Sequence, residues 1–390
     1  MSTELRVTID QLVAPVPGGI GRYTEELTRE LIAQAPPECS VAGIVSAVGE
    51  EEMEQLSTLL PGLAEIIRLP LPRRELALAW RFGATSIPGR GPDGTWRSPK
   101  GMLHATSPLA PLGRHDRIND PGNQTVVTIH DVLAWTHPES LGSGTVAFHK
   151  AMAKRAQRHA DAVVVPSHAV ASELGELLDF GDRIRVIGGA VSAKLQVPVD
   201  AEERAARLAL PERYIFTMGS LEPHRRLSAL IESLAHPDSV DLPLLIAGPS
   251  AWGGLEVAGV AAEAGLAEDR VRTLGTLSDA DLSVVLDRAS VFVLPSASAG
   301  FGLPVVEAFS FGTPVVHSDA PALVEVAAGA GYTVPLSHEA GYPARLAQAI
   351  ASIVDDPDTV ERMRVQSLDR ARAFSWADSA AGVWQLHAEL

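Results

Sequence analysis

Short apolar runs rich in Val, Ile and Leu alternate along the chain with stretches in which apolar residues recur every three or four positions. That alternation predicts parallel strands covered on both faces by helices. In the first half the strand-like runs fall near 5–10, 41–47, 102–106, 125–130, 162–166 and 183–187; in the second, near 214–218, 244–247, 271–274, 291–294 and 314–317. Between the two sets, residues 192–212 carry Pro198, Pro211 and a short charged helical pattern, which reads as an interdomain connection. The fold class is therefore α/β, with two Rossmann-like domains over 1–191 and 213–373. The Gly, Pro and Arg-rich segment from about 87 to 101 reads as a long loop.

Composition narrows the function. The 390 residues suit two domains, and the single cysteine, Cys39, excludes an internal disulfide or a thiolate zinc cage. With 32 Lys and Arg against 48 Asp and Glu, the net charge of −16 opposes nucleic acid as a partner. The amino terminus lacks the apolar run of a signal peptide, and the 18 uncharged residues at 289–306 are interrupted by Pro295 and Pro304. A cytoplasmic protein is expected. None of the lysines, at 100, 150, 154 and 194, follows a glycine as the Walker phosphate loop requires.

Four segments carry candidate chemistry. In PGGIGRYTEELTREL, Gly18, Gly19 and Gly21 allow a tight turn before a helix patterned by Ile20, Tyr23, Leu27 and Leu31, a place where backbone N–H groups approach a phosphate. His130 follows a strand, at the edge where ligands of open α/β sheets bind; a neutral imidazole there can donate to a sugar hydroxyl, while Asp131 caps the next helix. His104 has the same topology. In GSLEPHRRLSALIESLA, His224, Arg225 and Arg226 fall in the first turn of a helix, where cations oppose the dipole unless an anion is shared, and a diphosphate fits. The fourth segment, VFVLPSASAGFGLPVVEAFSFGTPVVHSD, predicts a buried strand, a glycine loop around Gly300 and Gly302, and a short helix from about 304 to 311. Glu307 falls in its first turn as a carboxylate able to accept two hydroxyls of a ribose. Asp279 and Asp281 look like a metal pair, but Ser278 before them makes a capped, acidic helix start.

In order and spacing these segments resemble the retaining glycosyltransferases of family 4, which have the GT-B fold of two facing Rossmann-like domains. GGIGRYTEEL resembles that family's amino-terminal glycine loop, TIHD its active-site histidine region, GSLEPHRRL its donor-phosphate segment and PSASAGFGLPVVEAFSFGTPVV its glutamate signature. The resemblance implies that His130 touches the transferred sugar, that Arg225 replaces the lysine binding the diphosphate, and that Gly19 and Gly21 lie on the donor side. It further implies that the amides of Gly300, Phe301, Gly302 and Leu303 meet phosphate and sugar, and that Glu307 holds the ribose. FSWADSAAGVWQLHAEL, 374–390, resembles the terminal helix that packs back on the amino-terminal, acceptor-side domain. Three departures stand out. Ala299 replaces the first signature glutamate, His224 and Arg225 replace an Arg-Lys pair, and Ser220 takes a donor-side position where the family often has arginine.

The implied reaction moves a hexose from a nucleotide diphosphate sugar to an acceptor hydroxyl with retention, with no metal or other cofactor. GGIGRYTEEL and TIHD look most like envelope-polysaccharide mannosyltransferases, so GDP-mannose is the first donor candidate and a UDP-hexose the second, with a glycan or lipid-linked acceptor. Ala299 keeps a second reading open, a pseudo-glycosyltransferase that binds nucleotide sugar or supports a partner transferase. A nicotinamide dehydrogenase fails for want of a full G-x-G-x-x-G with an acid some 20 residues on, and an epimerase explains the glutamate segment less well. Finally, residues 72–100 hold six basic side chains against Glu75 and Asp93. Leu76 and Trp80 share a helix face there, with Arg73, Arg74 and Arg81 around them and Trp96 following. The segment is a candidate for peripheral contact with anionic lipid at the inner face of the membrane.

Overall fold

Strands apolar on both faces need helices on both faces, and the computed structural model, which describes residues 3–98, 100–116, 119 and 122–390, supplies them in two compact units. One unit holds the chain up to Gly189 together with Ser375–Leu390; the other holds Ala190–Phe374. Residues 192–212, read from sequence as a connection, lie inside the second unit. Their helix Ala201–Arg207 packs on the helix Asp279–Arg288, and Arg204 Nη1 meets Asp281 Oδ1 at 2.9 Å.

The first unit is built on β1 (Thr3–Thr8), β2 (Cys39–Val45), β3 (Ile66–Arg68), β4 (Gly89–Arg90), β5 (Trp96–Arg97), β6 (Met102–Ala105), β7 (Gln124–Thr128), β8 (Ala162–Val165) and β9 (Ile184–Val186). Their order in the sheet is β5-β4-β3-β2-β1-β6-β7-β8-β9, parallel from β3 to β9. Alternate residues separate the faces, as the two-residue period of a strand demands. Val127, Val163 and Val165 pack with Met152 and Ala156 of the helix Ser143–His159, while Val126 and Val164 pack with Leu386 of the terminal helix Trp376–Glu389. That helix also lies along the helix Gly18–Ala33, where Trp384 Nε1 donates to Leu31 O at 3.2 Å.

Three expectations change here. The 87–101 loop contains the antiparallel pair β4 and β5, with the Arg97 guanidinium chelating the Glu65 carboxylate at 2.7 to 3.0 Å and Arg90 over the Trp96 ring at 4.6 Å; Pro99 lies outside the described residues. In the helix Arg73–Arg81, Leu76 and Trp80 do share a face, but it is core. Arg73 is turned inward to the buried Asp10 carboxylate and to Gln11 Oε1 at 2.7 Å, so neither that face nor Arg73 is available to a membrane. His104 sits inside β6, fully buried, its ring 5.7 Å from that of His387 on the terminal helix, so it is not at the sheet edge.

The second unit carries β10 (Ile215–Met218), β11 (Leu244–Ala247), β14 (Val271–Gly275), β15 (Val291–Leu294), β16 (Val315–Ser318) and β17 (Tyr332–Val334) in one parallel sheet, order β14-β11-β10-β15-β16-β17. A separate hairpin pairs β12 (Ala251–Trp252) with β13 (Leu255–Glu256). Leu230, Ile246, Val293 and Ile350 form one face of the core, and Phe216, Phe292, Val306 and Phe309 the other. Both sheets reverse their winding once, at β1/β6 in the first unit and at β10/β15 in the second.

The histidine pair sets an acid limit on the first unit. Burial holds the His104 pKa well below its ordinary value and lowers that of His387 to about 4. Both rings fold neutral, so above the unfolded pKa of about 6.5 they add no pH dependence, and as pH falls from there towards 4 the unfolded chain takes up protons that the folded one refuses. His387 alone then costs roughly 3 kcal/mol. Urea midpoints should drop between about pH 7 and pH 4.5, and the His104→Phe/His387→Phe variant should flatten that drop; an equal drop in both proteins would contradict the assignment.

Candidate functional site

In the second unit β10 and β15 pair only at Ile215↔Val291 and Phe216↔Phe292, after which they part. The Thr217 hydroxyl spans the widening gap to Val293 O at 2.7 Å. Everything predicted for the donor side in this unit leaves the sheet at that gap. On one lip Gly219 (φ +152°) and the buried Ser220 lead to Pro223–Arg225, a single 3-10 turn, and Arg226 then adopts a left-handed φ of +55° before the helix Leu227–Ser233. A Cβ on Gly248, at the exit of β11, would lie 2.1 Å from Gly219 O, so the two strand exits touch through bare backbone.

This geometry corrects the reading of three cations in one helical turn. His224 is buried and its carbonyl accepts from Ala297 N at 2.7 Å, which ties the two lips together. Arg226 turns away into an ion pair with Glu339. Arg225 remains, 39% exposed, its nearest acid Glu222 at 3.6 Å from Nε. Of the three cations, Arg225 alone is left to meet an anion at this edge.

On the other lip, Tyr342 OH donates to Pro295 O at 3.0 Å and Ser318 Oγ to Ser296 O at 2.5 Å, holding the loop where it leaves β15. Ala299 is half-buried against the core beside Phe301, whose ring meets Phe374 edge-on at 5.5 Å. Gly302 precedes the helix Leu303–Ser310 at φ +93°, and a Cβ there would stand 2.6 Å from Leu323 Cδ2, so only glycine fits. Glu307 is the fifth residue of that helix, one turn beyond its start, and is only 4% exposed; it is a buried carboxylate and not a first-turn surface acid. Asp281, the sequence's metal candidate, accepts from Ser278 Oγ and pairs with Arg204 and Arg207.

In the first unit the corresponding edge lies past β1 and β6. Thr106 Oγ1 donates to Thr8 O at 2.8 Å, Thr106 N donates to Thr8 Oγ1 at 3.2 Å, and Thr24 Oγ1 lies 2.9 Å from Thr106 Oγ1. Gly18 (φ +58°), Gly19 and Gly21 belong to the first turn of the helix itself and not to a turn before it. Open space surrounds the Cβ positions of Gly18 and Gly19, whereas a Cβ on Gly21 would stand 2.4 Å from Pro17 Cβ. His130 Nε2 lies 2.8 Å from Thr106 O, an acceptor, so Nε2 carries the proton. Burial lowers its pKa, with His149 adding to the effect and Thr106 and Asp131 opposing it, and the ring is neutral at pH 7. Nδ1 is then a lone pair, so the ring can accept a hydrogen bond there but not donate one, where the sequence suggested a donor. Tyr23 buttresses the ring edge-on at 4.8 Å, and Asp131 Oδ1 accepts from Leu133 N, capping the next turn. The roles of the threonines, Tyr23 and His149 arise where strand ends meet the helices Gly18–Ala33 and Ser143–His159, which no local spacing announces.

Residues 18–190 match the Glycosyl transferase 4-like domain and residues 199–369 the Glycosyl transferases group 1 family, between them covering most of both units. The chain belongs to the family 4 glycosyltransferases. This family 4 chain is 28% identical to the O-antigen chain mannosyltransferase B of Escherichia coli over 65% of its length and 67% of the relative's. It is 30% identical to a D-inositol 3-phosphate glycosyltransferase of Corynebacterium glutamicum over 53% of its length and 51% of the relative's. It is 27% identical to the E. coli serotype-specific mannosyltransferase WbdA over 66% of its own length and 32% of the relative's. The match thus spans about a third to two thirds of these curated relatives. Among solved structures, sucrose-phosphate synthase of Thermosynechococcus elongatus superposes with a TM-score of 0.73 at 21% identity, covering 99% of this chain and 98% of that one. HepE of Anabaena, solved with UDP and glucose, superposes with a TM-score of 0.72 at 17% identity and full coverage of both chains. The fold is GT-B.

Proposed function

We propose that the chain transfers a hexose from a nucleotide diphosphate sugar to an acceptor hydroxyl with retention, in glycan or glycolipid synthesis. The second unit is the donor side and the first the acceptor side. The observation that carries this reading is the gap between β10 and β15, whose lips bring Ser220, Arg225, the amides of Gly300 to Leu303 and the buried Glu307 to one edge. Arg225 and the start of the helix Leu303–Ser310 face the diphosphate with a guanidinium and with backbone amides, which stabilise the charge that develops as it leaves. Glu307 accepts the two ribose hydroxyls. In the step itself the C1–O bond to the diphosphate breaks, the acceptor oxygen joins C1 from the same face, and its proton passes to the leaving phosphate. His130 Nδ1 accepts a hydroxyl of the transferred sugar, and Gly19 leaves open space for close approach.

Mannose from GDP-mannose is the favoured donor, supported by the mannosyltransferases among the relatives; a UDP-hexose is second, supported by the ligands of HepE. No metal is needed when Arg225 and the amides carry the phosphate charge. One observation favours a second reading. Ala299 leaves a methyl packed on the core where the family has a sugar-contacting carboxylate, which suits a pseudo-glycosyltransferase that binds nucleotide sugar or supports a partner transferase.

Calorimetry with GDP, UDP and the free nucleosides tests the donor assignment. Glu307→Ala should weaken nucleosides and diphosphates alike by about 1.5 to 3 kcal/mol, whereas Arg225→Ala should weaken only the diphosphates. Wild-type affinity in both variants would refute it.

The acceptor side also offers a membrane contact, different from the one read in the sequence. Phe82 (78% exposed), Trp96 (56%) and Leu78 stand in solvent near Arg74, Arg81 and Arg90, and we propose that they meet anionic lipid carrying the acceptor. Reversing Arg74 and Arg81 to Glu should remove salt-sensitive cosedimentation with anionic liposomes, at about 1 kcal/mol per charge. Wild-type protein left in the supernatant at low salt would refute the contact.

A further inference from the structure

A cleft of about 470 Å³ opens at the amino ends of β8 and β9, the opposite end of the sheet from the edge where His130 follows β7. In a chain of net charge −16 its walls are inverted in sign, with four arginines and two histidines against Asp161 and Asp182. Part of this charge is wall. Arg183 donates from Nε, Nη1 and Nη2 to the carbonyls of Phe180, Ala160 and Gln157 at 3.0, 2.8 and 2.7 Å, fixing the end of the helix Ser143–His159 to the start of β9. His115 places Nε2 2.8 Å from Asp161 Oδ2 and Nδ1 3.0 Å from Gly113 O, so both ring nitrogens are engaged in the wall. The same Asp161 oxygen accepts from Thr125 N at 2.8 Å, so this acid is spent inside the wall.

The rest of the charge is uncommitted. Arg114 and Arg158 are exposed on the cleft and have no hydrogen-bond or ion-pair partner among the described residues. Arg185 uses only Nη1, on the carbonyls of Asp182 and Ile184. His159 feels the surplus: burial, then Arg155 and Arg158 on its own helix and His115 from the facing loop, all disfavour its protonation. Asp182, on the β9 side, is a lining acid whose side chain has no partner among the described residues, and Leu390, at the end of the chain, also lines the cleft. Planar guanidiniums lining one cleft match the oxygens of phosphate, and the size suits a small ligand more than a flat surface.

We propose that this cleft binds a small phosphate-bearing anion, between pyrophosphate and a nucleoside diphosphate in size, through Arg114, Arg158 and Arg185. The site is separate from the donor edge and does not rest on the glycosyl-transfer reading. Binding a polyanion reverses the local surplus around His159, so the ring takes up a proton and affinity rises as pH falls from about 8 to 6.

The test is calorimetric titration of the full chain with pyrophosphate at low ionic strength, in the Arg225→Ala background so that the proposed donor edge does not contribute. Binding should persist there, tighten at the lower pH with proton uptake read from two buffers of different ionisation enthalpy, and weaken at least about tenfold in Arg114→Glu/Arg158→Glu. Arg158→Gln, a milder change, should weaken it in the same direction with an unchanged thermal midpoint. No binding in the Arg225→Ala background, or affinity within about twofold after charge reversal, overturns the proposal. So does protein that ignores pyrophosphate yet sediments with phosphatidylglycerol vesicles through the same arginines, since the partner is then a membrane surface.

Discussion

The edge proposed for the donor depends on the separation of β10 and β15. Two parallel strands that leave a sheet towards opposite sides cannot share a ladder to their ends, so pairing lapses after Phe216 and Phe292 and a gap opens with bare backbone on both lips. Glycine solves the packing problem that this gap creates. Gly219 and Gly248 let two strand exits touch, and Gly302 lets the helix Leu303–Ser310 start against Leu323. Because the amides at that helix start are brought so close to the sheet edge, a charged ligand can be met by backbone, and only Arg225 and Glu307 need supply side-chain charge. The two have opposite environments. Arg225 is partly in water, where a phosphate can displace its loose contact with Glu222, and Glu307 is buried, where a ribose would have to reach it.

The first unit repeats the topology with different chemistry. Its reversal at β1/β6 is closed by hydroxyls, Thr8, Thr24 and Thr106, and the Thr106 carbonyl fixes the proton of His130 on Nε2. A backbone carbonyl thereby decides which hydrogen bonds the imidazole can make with a ligand. The same unit keeps a second histidine, His104, neutral by burial against His387, so a histidine inside β6 and one just past its neighbour β7 sit in unrelated surroundings.

The longer central strands and the loop at Gly302 were legible in the sequence because each is local, a run of β-branched residues or a glycine just before a helical period; the two- and three-residue strands β3, β4, β5, β12, β13 and β17 were too short to leave such a run. Position along a helix was less secure. Glu307 moved from the first turn to the second because the helix starts at Leu303, and the three glycines moved into the helix because it starts at Gly18. The failures are long-range. No spacing reveals that Arg226 turns left-handed and pairs with Glu339, 113 positions away, or that Arg73 is claimed by Asp10, 63 positions away. A cluster of like charges in sequence was dispersed in space, and the basic cleft at β8 and β9 was assembled from residues scattered between 114 and 185.

The central claim is that the β10/β15 edge holds a nucleotide diphosphate sugar, and the most direct measurement is thermal unfolding with a panel of GDP- and UDP-sugars while released nucleoside diphosphate is assayed in the same samples. One donor should stand out. At 100 times its dissociation constant it should stabilise the protein by about 2.7 kcal/mol, and nucleoside diphosphate should appear with that donor alone. Stabilisation without release would leave the edge assigned and the chain a pseudo-enzyme. No stabilisation by any donor at millimolar concentration would contradict the account.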